Sequence, residues 1–388
     1  MERVGNKLVF QLDPQELNKH NGTSRARPLS LHELAQLKPI AATKELATQR
    51  PSELETYLSL AKGASLQPGT KVERIGEHGD RDLYRVSLTF PASDVAFGLP
   101  GRTANRVEPP KKRVAAEEFT QIDGHCPAGS SVTYIPATET RSYPRLYSRG
   151  RRVHPVSRQL LTDTSYPWRC IGRIVNSQGR AGSGALVGHN LVLTASHVVP
   201  WGQSPWWMTF TPHQFGTNTQ PFGQSFVSDA HAYIAAGQTV DQFESAIDYA
   251  VLRLYTPLGD SLGWFGSTDY SEDWNDGNFW ASVGYPGDLF GGVFPSVELP
   301  VSIEDGDSPG VFSNPGLNLE TEATISAGAS GGPFWAWFHT DNGVTPRITG
   351  VVSSNHDFGG WFSTDNDGRL AGGGELVDLV NWGRSNWP

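Results

Sequence analysis

Gly182-Ser183-Gly184-Ala185-Leu186-Val187-Gly188 runs through His189-Asn190 into Leu191-Val192-Leu193-Thr194-Ala195-Ser196-His197-Val198-Val199. Two short apolar runs joined by a tight two-residue turn predict a pair of antiparallel strands. Just before them, Cys170-Ile171-Gly172-Arg173-Ile174-Val175 reads as another strand. Working outward, β-type runs recur at 206–211, 249–255, 279–285, 299–303, 319–325, 333–338 and 347–353. Strands at this spacing, with no long helical pattern between them, predict an all-β barrel or sandwich. The stretch from Gly374 through Asp378 to Trp382 predicts a short C-terminal helix. No repeat of solenoid or propeller length is present.

The 388 residues leave room for two or three domains, and a hydrophobic content of 37% supports a sizeable core. A net charge of −9 argues against nucleic acid or an anionic membrane as partner. No apolar run is long enough to cross a bilayer. The average conceals an asymmetry. Residues 1–152 carry 23 Lys and Arg against 17 Asp and Glu, whereas residues 153–388 carry 8 against 23. No lysine follows Lys112, and all 12 tryptophans lie at or after Trp168. We therefore expect a basic leader over 1–152 and an acidic, aromatic-rich domain over 153–388.

The leader reads as a region of mixed or low order. Ser30-Leu31-His32-Glu33 and Ser52-Glu53-Leu54-Glu55 are capping-box patterns that predict short helices. Tyr84, Val86, Leu88 and Phe90 alternate with polar residues and predict a hairpin over 71–90 that reverses at Gly79-Asp80. Lys111-Lys112-Arg113 and Arg151-Arg152 are either solvated surface charge or cleavage sites in an exposed loop, and their position at the compositional boundary favours cleavage. The N-terminus has no apolar signal-peptide core, so either the chain is not exported by that route or its start lies upstream. Location is open, with export the favoured reading. Asn21-Gly22-Thr23 is a glycosylation sequon that matters only in that case. Cys126 and Cys170 allow one bridge at most.

Near the C-terminal end stands Gly328-Ala329-Ser330-Gly331-Gly332-Pro333. A serine between glycines suits either a nucleophile loop, whose small residues let backbone N–H groups converge, or an ordinary Gly/Ser turn. Upstream, His197 ends an apolar strand, and Asp248 precedes Tyr249-Ala250-Val251-Leu252-Arg253-Leu254. Each alone has a bland reading, the histidine as a packed or surface residue and the aspartate as a strand-end turn. Together they supply what a serine needs: an imidazole to take its proton and a carboxylate to fix that imidazole. The candidate catalytic residues are His197, Asp248 and Ser330, with the N–H groups of Gly328 and Ser330 as oxyanion donors. The histidines are scattered, with no His-x-x-x-His and no paired cysteines, so no metal or other cofactor is expected.

These residues resemble the motifs of chymotrypsin-like serine proteases. Leu193 to Val199 is similar to their histidine motif, Asp248 to Leu254 to their aspartate motif, and Gly328 to Pro333 to their serine motif. The resemblance covers about 166–388. Val283-Gly284-Tyr285-Pro286-Gly287-Asp288 and Ser183 to Val187 narrow it to the glutamyl endopeptidase-like branch. It implies two six-stranded antiparallel β-barrels with the site in the cleft between them, and hydrolysis of protein or peptide substrates through an acyl-enzyme. It also implies that Gly350-Val351-Val352-Ser353-Ser354-Asn355 pairs with an extended substrate, giving Val352, Ser353 and Ser354 as substrate-binding residues. Thr324 matches the base of the pocket for the residue before the scissile bond.

There are departures. Ala329 stands where pancreatic-type members carry an aspartate that pairs with a freed N-terminus, and Val198 stands where they carry a cysteine. Glutamyl endopeptidases place a histidine in the substrate-pairing strand, whereas here Val351-Val352-Ser353 fills it and His356 comes later. Neutral Thr324, with Ile325 and Ser326, favours an uncharged or apolar substrate side chain. The opposite charges of leader and domain suggest that the leader docks on the domain as an intramolecular inhibitor or folding aid. Two alternatives remain, a silent protease fold used as a binding module and a quality-control protease of the high-temperature-requirement type. Only 58 residues follow Ser330, which leaves little room for the latter's additional domain.

Overall fold

The computed structural model describes residues 27–41, 100–106, 120–139, 158–217, 219–237, 242–307, 316–341, 343–355 and 368–388. It also gives the backbone of four short strands, Glu2–Val4, Lys7–Val9, Thr70–His78 and Arg81–Leu88. The expected second capping box at Ser52, the sequon at Asn21, the turn at Gly79-Asp80, both basic stretches and His356 lie outside the described residues.

Among the described residues the chain is all-β apart from short helical turns and one C-terminal helix. Strands β1 (Ile171–Asn176), β2 (Ala181–Gly188), β3 (Leu191–Thr194), β4 (Met208–Pro212), β5 (Ser225–Ala232) and β6 (Ala250–Leu254) form one sheet in the order β4-β1-β2-β3-β6-β5. Pairing of Thr209 with Phe226 and of Phe210 with Ser225 joins its two ends, so this sheet closes as a six-stranded barrel. The fully buried Ile171, Ile174, Leu186, Val192, Phe210, Val227 and Leu252 belong to its apolar core. Of these six strands, the one missed in the sequence is β5. A bulge between Val227 and Asp229 puts its buried apolar residues at Val227, Ala230 and Ala232, which breaks the two-residue period that marks a strand.

The second sheet contains β7 (Gly266–Thr268), β8 (Trp280–Gly284), β9 (Ser296–Val301), β10 (Asp305–Asp307), β11 (Leu317–Thr321), β12 (Pro333–Thr340), β13 (Gly343–Asn355) and β14 (Gly368–Gly372). Its main path runs β10-β11-β14-β13-β12-β8-β9. A second closed barrel was expected here, and this sheet does not close. The exposed N–H and C=O groups of an edge need partners, and added strands supply them instead of closure. Gln159–Leu161 pairs with β9 and in turn carries Thr138–Glu139, while Gln121–Ile122 pairs with β7.

Segments from before residue 153 therefore contribute to both sheets. Thr103–Arg106 runs parallel to β5 on the first barrel. Pro28 bridges to Phe338, and the Leu29 N–H donates to the Trp337 carbonyl at 2.8 Å. The expected capping box at Ser30 is present, starting the one-turn helix Leu31–Leu34. Leu29, Leu34 and Val132 are buried in the same core cluster as the barrel. The hairpin expected over 71–90 is present as Thr70–His78 against Arg81–Leu88.

Helix α1 (Gly374–Asn386) buries Leu376, Val377, Leu379 and Val380. Its Arg384 guanidinium donates to the Val187, Phe265 and Asp123 carbonyls, tying the C-terminus to both sheets and to the 120–139 segment. Cys126 and Cys170 are free thiols, and burial pushes Cys170 up to about 12.

Candidate active site

His197 sits in a single 3-10 turn, Ser196–Val198, directly after β3. Ala195 is still extended, so the chain leaves the sheet edge and turns at once. Asp248 lies two residues before β6, the strand hydrogen-bonded beside β3, and the pairing of Thr194 with Ala250 brings the two strand ends level. Their side chains meet. His197 Nδ1 lies 2.7 Å from Asp248 Oδ2, and the His197 backbone N–H donates to Asp248 Oδ1 at 2.9 Å. The Ser353 hydroxyl donates to Asp248 Oδ2 at 2.7 Å. The carboxylate has no solvent exposure, yet these three donors satisfy it as an anion.

Burial disfavours a charged His197, and Arg180 works in the same direction. The charge and hydrogen bond of Asp248 outweigh both, so the imidazole pKa is raised above its ordinary value. The nitrogen facing Asp248 is Nδ1, which as a donor leaves Nε2 as the basic nitrogen of the neutral ring.

Ser330 stands on a turn of the second sheet, just before β12. Gly328 and Gly331 have φ of 95° and 80°, a region open to glycine at little cost. A Cβ on Gly331 would lie 2.1 Å from Thr194 Oγ1 and 2.6 Å from the Ala195 backbone nitrogen. The serine turn is thus pressed against the end of the strand that carries His197. The Ser183 N–H donates to the Ser330 carbonyl at 2.8 Å, fastening the turn to β2. Ala329, Gly331 and Gly332 all spend their N–H groups on backbone carbonyls. The N–H groups of Gly328 and Ser330 have no partner among the described residues.

The expected substrate-binding residues fall differently. The Val352 side chain is 1% exposed, its N–H donates to the Gly332 carbonyl, and its carbonyl accepts from Gly331. The Val352 N–H and carbonyl are thus both spent on the serine turn. The Ser353 hydroxyl is turned onto Asp248. Ser354 and Thr324 are partly exposed.

The wall around Thr324 also carries charges that its own sequence neighbourhood hides. The Thr324 N–H donates to Glu298 Oε2 at 2.9 Å, and the Ser326 hydroxyl donates to Asp288. The Arg158 guanidinium lies 3.8 Å from each of these carboxylates. Burial lowers the Arg158 pKa, and the two carboxylates oppose that shift. Among the described residues no group of histidine, cysteine and acidic side chains could hold a metal ion, and no helix is long and apolar enough to cross a membrane.

Comparison with known proteins agrees with the motifs. Residues 182–336 match the family described as trypsin-like peptidase domain. A glutamyl endopeptidase of Bacillus licheniformis is 26% identical over 225 residues, which are 57% of this chain and 65% of that protein. The chain thus spans just under two thirds of the length of that relative. A solved structure of a Glu endopeptidase in complex with MPD shares 18% identity, covers 60% of this chain and 99% of its own, and has a TM-score of 0.47. The protease Rv3671c in an inactive form also shares 18% identity, covers 55% of this chain and 88% of its own, and has a TM-score of 0.34. The chain's likeness is to chymotrypsin-like serine proteases, on the glutamyl endopeptidase branch.

Proposed function

We propose, from this likeness to chymotrypsin-like serine proteases and from the geometry of the site, that the protein is a serine endopeptidase acting through His197, Asp248 and Ser330. The observation that carries the reading is the buried Asp248 holding both the ring and the backbone of His197, with the serine turn pressed against the same strand end.

In this mechanism Ser330 Oγ attacks the carbonyl carbon of the scissile peptide while His197 Nε2 takes its proton. Asp248 keeps Nδ1–H in place and stabilises the imidazolium. The N–H groups of Gly328 and Ser330 receive the oxyanion. Collapse expels the amine, which takes the proton from His197 and leaves an acyl group on Ser330. Water then repeats the sequence, with His197 again as base, and releases the acid. The groups nearest an incoming side chain are Thr324 and Ser354, and the fold proposed for this chemistry is a chymotrypsin-like pair of β units with the site between them. The specificity named for the Bacillus relative is not carried over, because Val351-Val352-Ser353 lacks its expected histidine. In the same reading residues 1–152 form a pro-region, cut at Lys111-Lys112-Arg113 or Arg151-Arg152, that restrains the enzyme until it is cut.

Mass spectrometry after exposure to a fluorophosphonate, beside a Ser330→Ala control, tests this. One adduct on Ser330, absent in the control, is expected, and the same spectra report cutting near Arg113 or Arg152. Labelling only of the cut chain would support the restraining leader. No adduct on either form would overturn the enzyme and leave a binding module.

A further inference from the structure

The serine turn hangs from a side chain that the chemistry above does not use. Ser183, on β2, has no solvent exposure. Its hydroxyl donates to the Gly328 carbonyl at 2.8 Å and accepts from the Tyr285 N–H at 2.9 Å. Its backbone N–H holds the Ser330 carbonyl at 2.8 Å, and its own carbonyl accepts from the Thr194 hydroxyl at 2.7 Å. One residue therefore links the serine turn, the Tyr285–Asp288 turn and the strand that leads to His197.

Planarity of the peptide turns these anchors into aim. In a trans peptide an N–H points opposite to the carbonyl of the preceding residue. The Gly328 N–H shares its peptide with the Ala327 carbonyl, which accepts from Gly287 at 2.6 Å. The Ser330 N–H shares its peptide with the Ala329 carbonyl, which accepts from Gly332 at 2.8 Å. Each carbonyl is tied by its own donor, which fixes the direction of the N–H in the same peptide, and both N–H groups are unpaired among the described residues. Between them lies the Gly328–Ala329 peptide. Its N–H is held by the Ser326 carbonyl at 3.0 Å, and its carbonyl by the Ser183 hydroxyl. A Cβ at Gly328 would lie 2.5 Å from the Tyr285 carbonyl, so the turn also sits tightly on the 285–288 segment.

We propose that Ser183 is a positioning residue for the oxyanion site, its hydroxyl fixing the central peptide so that the Gly328 and Ser330 N–H groups are aimed before substrate arrives. This rests on Ser330 being the nucleophile. Preorganised donors avoid reorganisation during reaction, which is where such sites gain their effect. Losing the anchor lets the central peptide rotate and spreads the two donors over many orientations.

The test compares the full chain with its Ser183→Ala and Ser183→Cys variants. Fluorophosphonate labelling, followed at several probe concentrations, separates the maximal rate of modification from the binding constant, and thermal melting reports folding. For Ser183→Ala the maximal rate falls roughly ten- to hundredfold, less than the ~10²–10³ for losing a donor outright. The binding constant stays near wild type, and the melting temperature falls by no more than the several degrees expected for two buried backbone groups that lose a partner. Ser183→Cys, a weaker donor of similar shape, falls in between, and it carries the comparison if the alanine variant does not fold. A folded variant labelled at the wild-type maximal rate, or one altered only in the binding constant, overturns the role of Ser183 alone. A wild-type chain that takes no label overturns this role and the enzyme reading together.

Discussion

The first barrel closes with strands drawn from residues 171–254, whereas the second sheet is extended by strands from residues 121–122, 138–139 and 159–161. The first sheet pairs its own two ends and takes only Thr103–Arg106 beside β5, whereas the second stays open and is extended by chain that precedes it. The candidate site divides the same way. His197 and Asp248 stand just beyond the level ends of neighbouring strands of the closed barrel, and Ser330 stands on a turn of the open sheet. His197 and Asp248 are thus held together at one end of the closed barrel, while Ser330 stands on a sheet extended on one side by segments from before residue 162. Ser353, Ser183 and the close approach of Gly331 to Thr194 are the stitches between the halves.

The largest expected effect tests the closed half. Asp248→Asn keeps the shape but removes the charge that holds Nδ1–H, and kcat should fall about 10⁴-fold. The pH profile sharpens the result. His197 acts as base only when neutral, so activity is lost as pH falls through its pKa. Because Asp248 raises that pKa, the acidic limb of wild-type kcat/KM should lie above the usual histidine value, and in the variant it should move toward acid. A limb that stays in place would mean that Asp248 does not govern His197.

The next effect tests the open half. Leu34 is 2% exposed, in the leader helix beside the contacts of Pro28 and Leu29 with β12. Leu34→Ala should cost about 2–5 kcal/mol. Hydrogen exchange should show the larger loss of protection in β12 and β13 and a smaller one in β1 to β6. An equal loss in the barrel would break the comparison, since both halves would then open as one unit.

The same division explains what could be read in advance. His197, Asp248 and Ser330 were legible because each lies beside a strong local pattern: an apolar strand end, the start of a buried strand, and a glycine-rich turn. Strand β5 was not, since its bulge shifts the buried apolar set out of phase between Val227 and Ala230. Openness of the second sheet was not, because Thr138–Glu139 and Gln121–Ile122 are too short to show a period at all. The wall around Thr324 read as neutral because Glu298, Asp288 and Arg158 reach it from distant parts of the chain. The hydroxyl of Ser183 has no local signature either, since its partners, Gly328 and Tyr285, lie more than a hundred residues away.

The smallest expected effect asks how firmly the leader is attached. Ser30 and Glu33 cap the helix reciprocally: the Glu33 N–H donates to the Ser30 hydroxyl, and the Ser30 N–H and hydroxyl both donate to Glu33 Oε2. Burial alone would raise the Glu33 pKa. Hydrogen bonds from Arg27 and Ser30 outweigh it and lower the carboxyl to about 2. A carboxylate depressed in the fold contributes stability that is fully present above its usual pKa and is lost as pH falls toward 2. Ser30→Ala should therefore cost about 1 kcal/mol near neutral pH, with the difference from wild type shrinking in strong acid. Arg27 is largely solvated, so salt should change the result little. A loss as large as that of Leu34→Ala would mean that the cap, rather than burial of Leu34, holds this segment to the sheet. No loss at all would mean that the backbone pairing of Leu29 with Trp337 suffices.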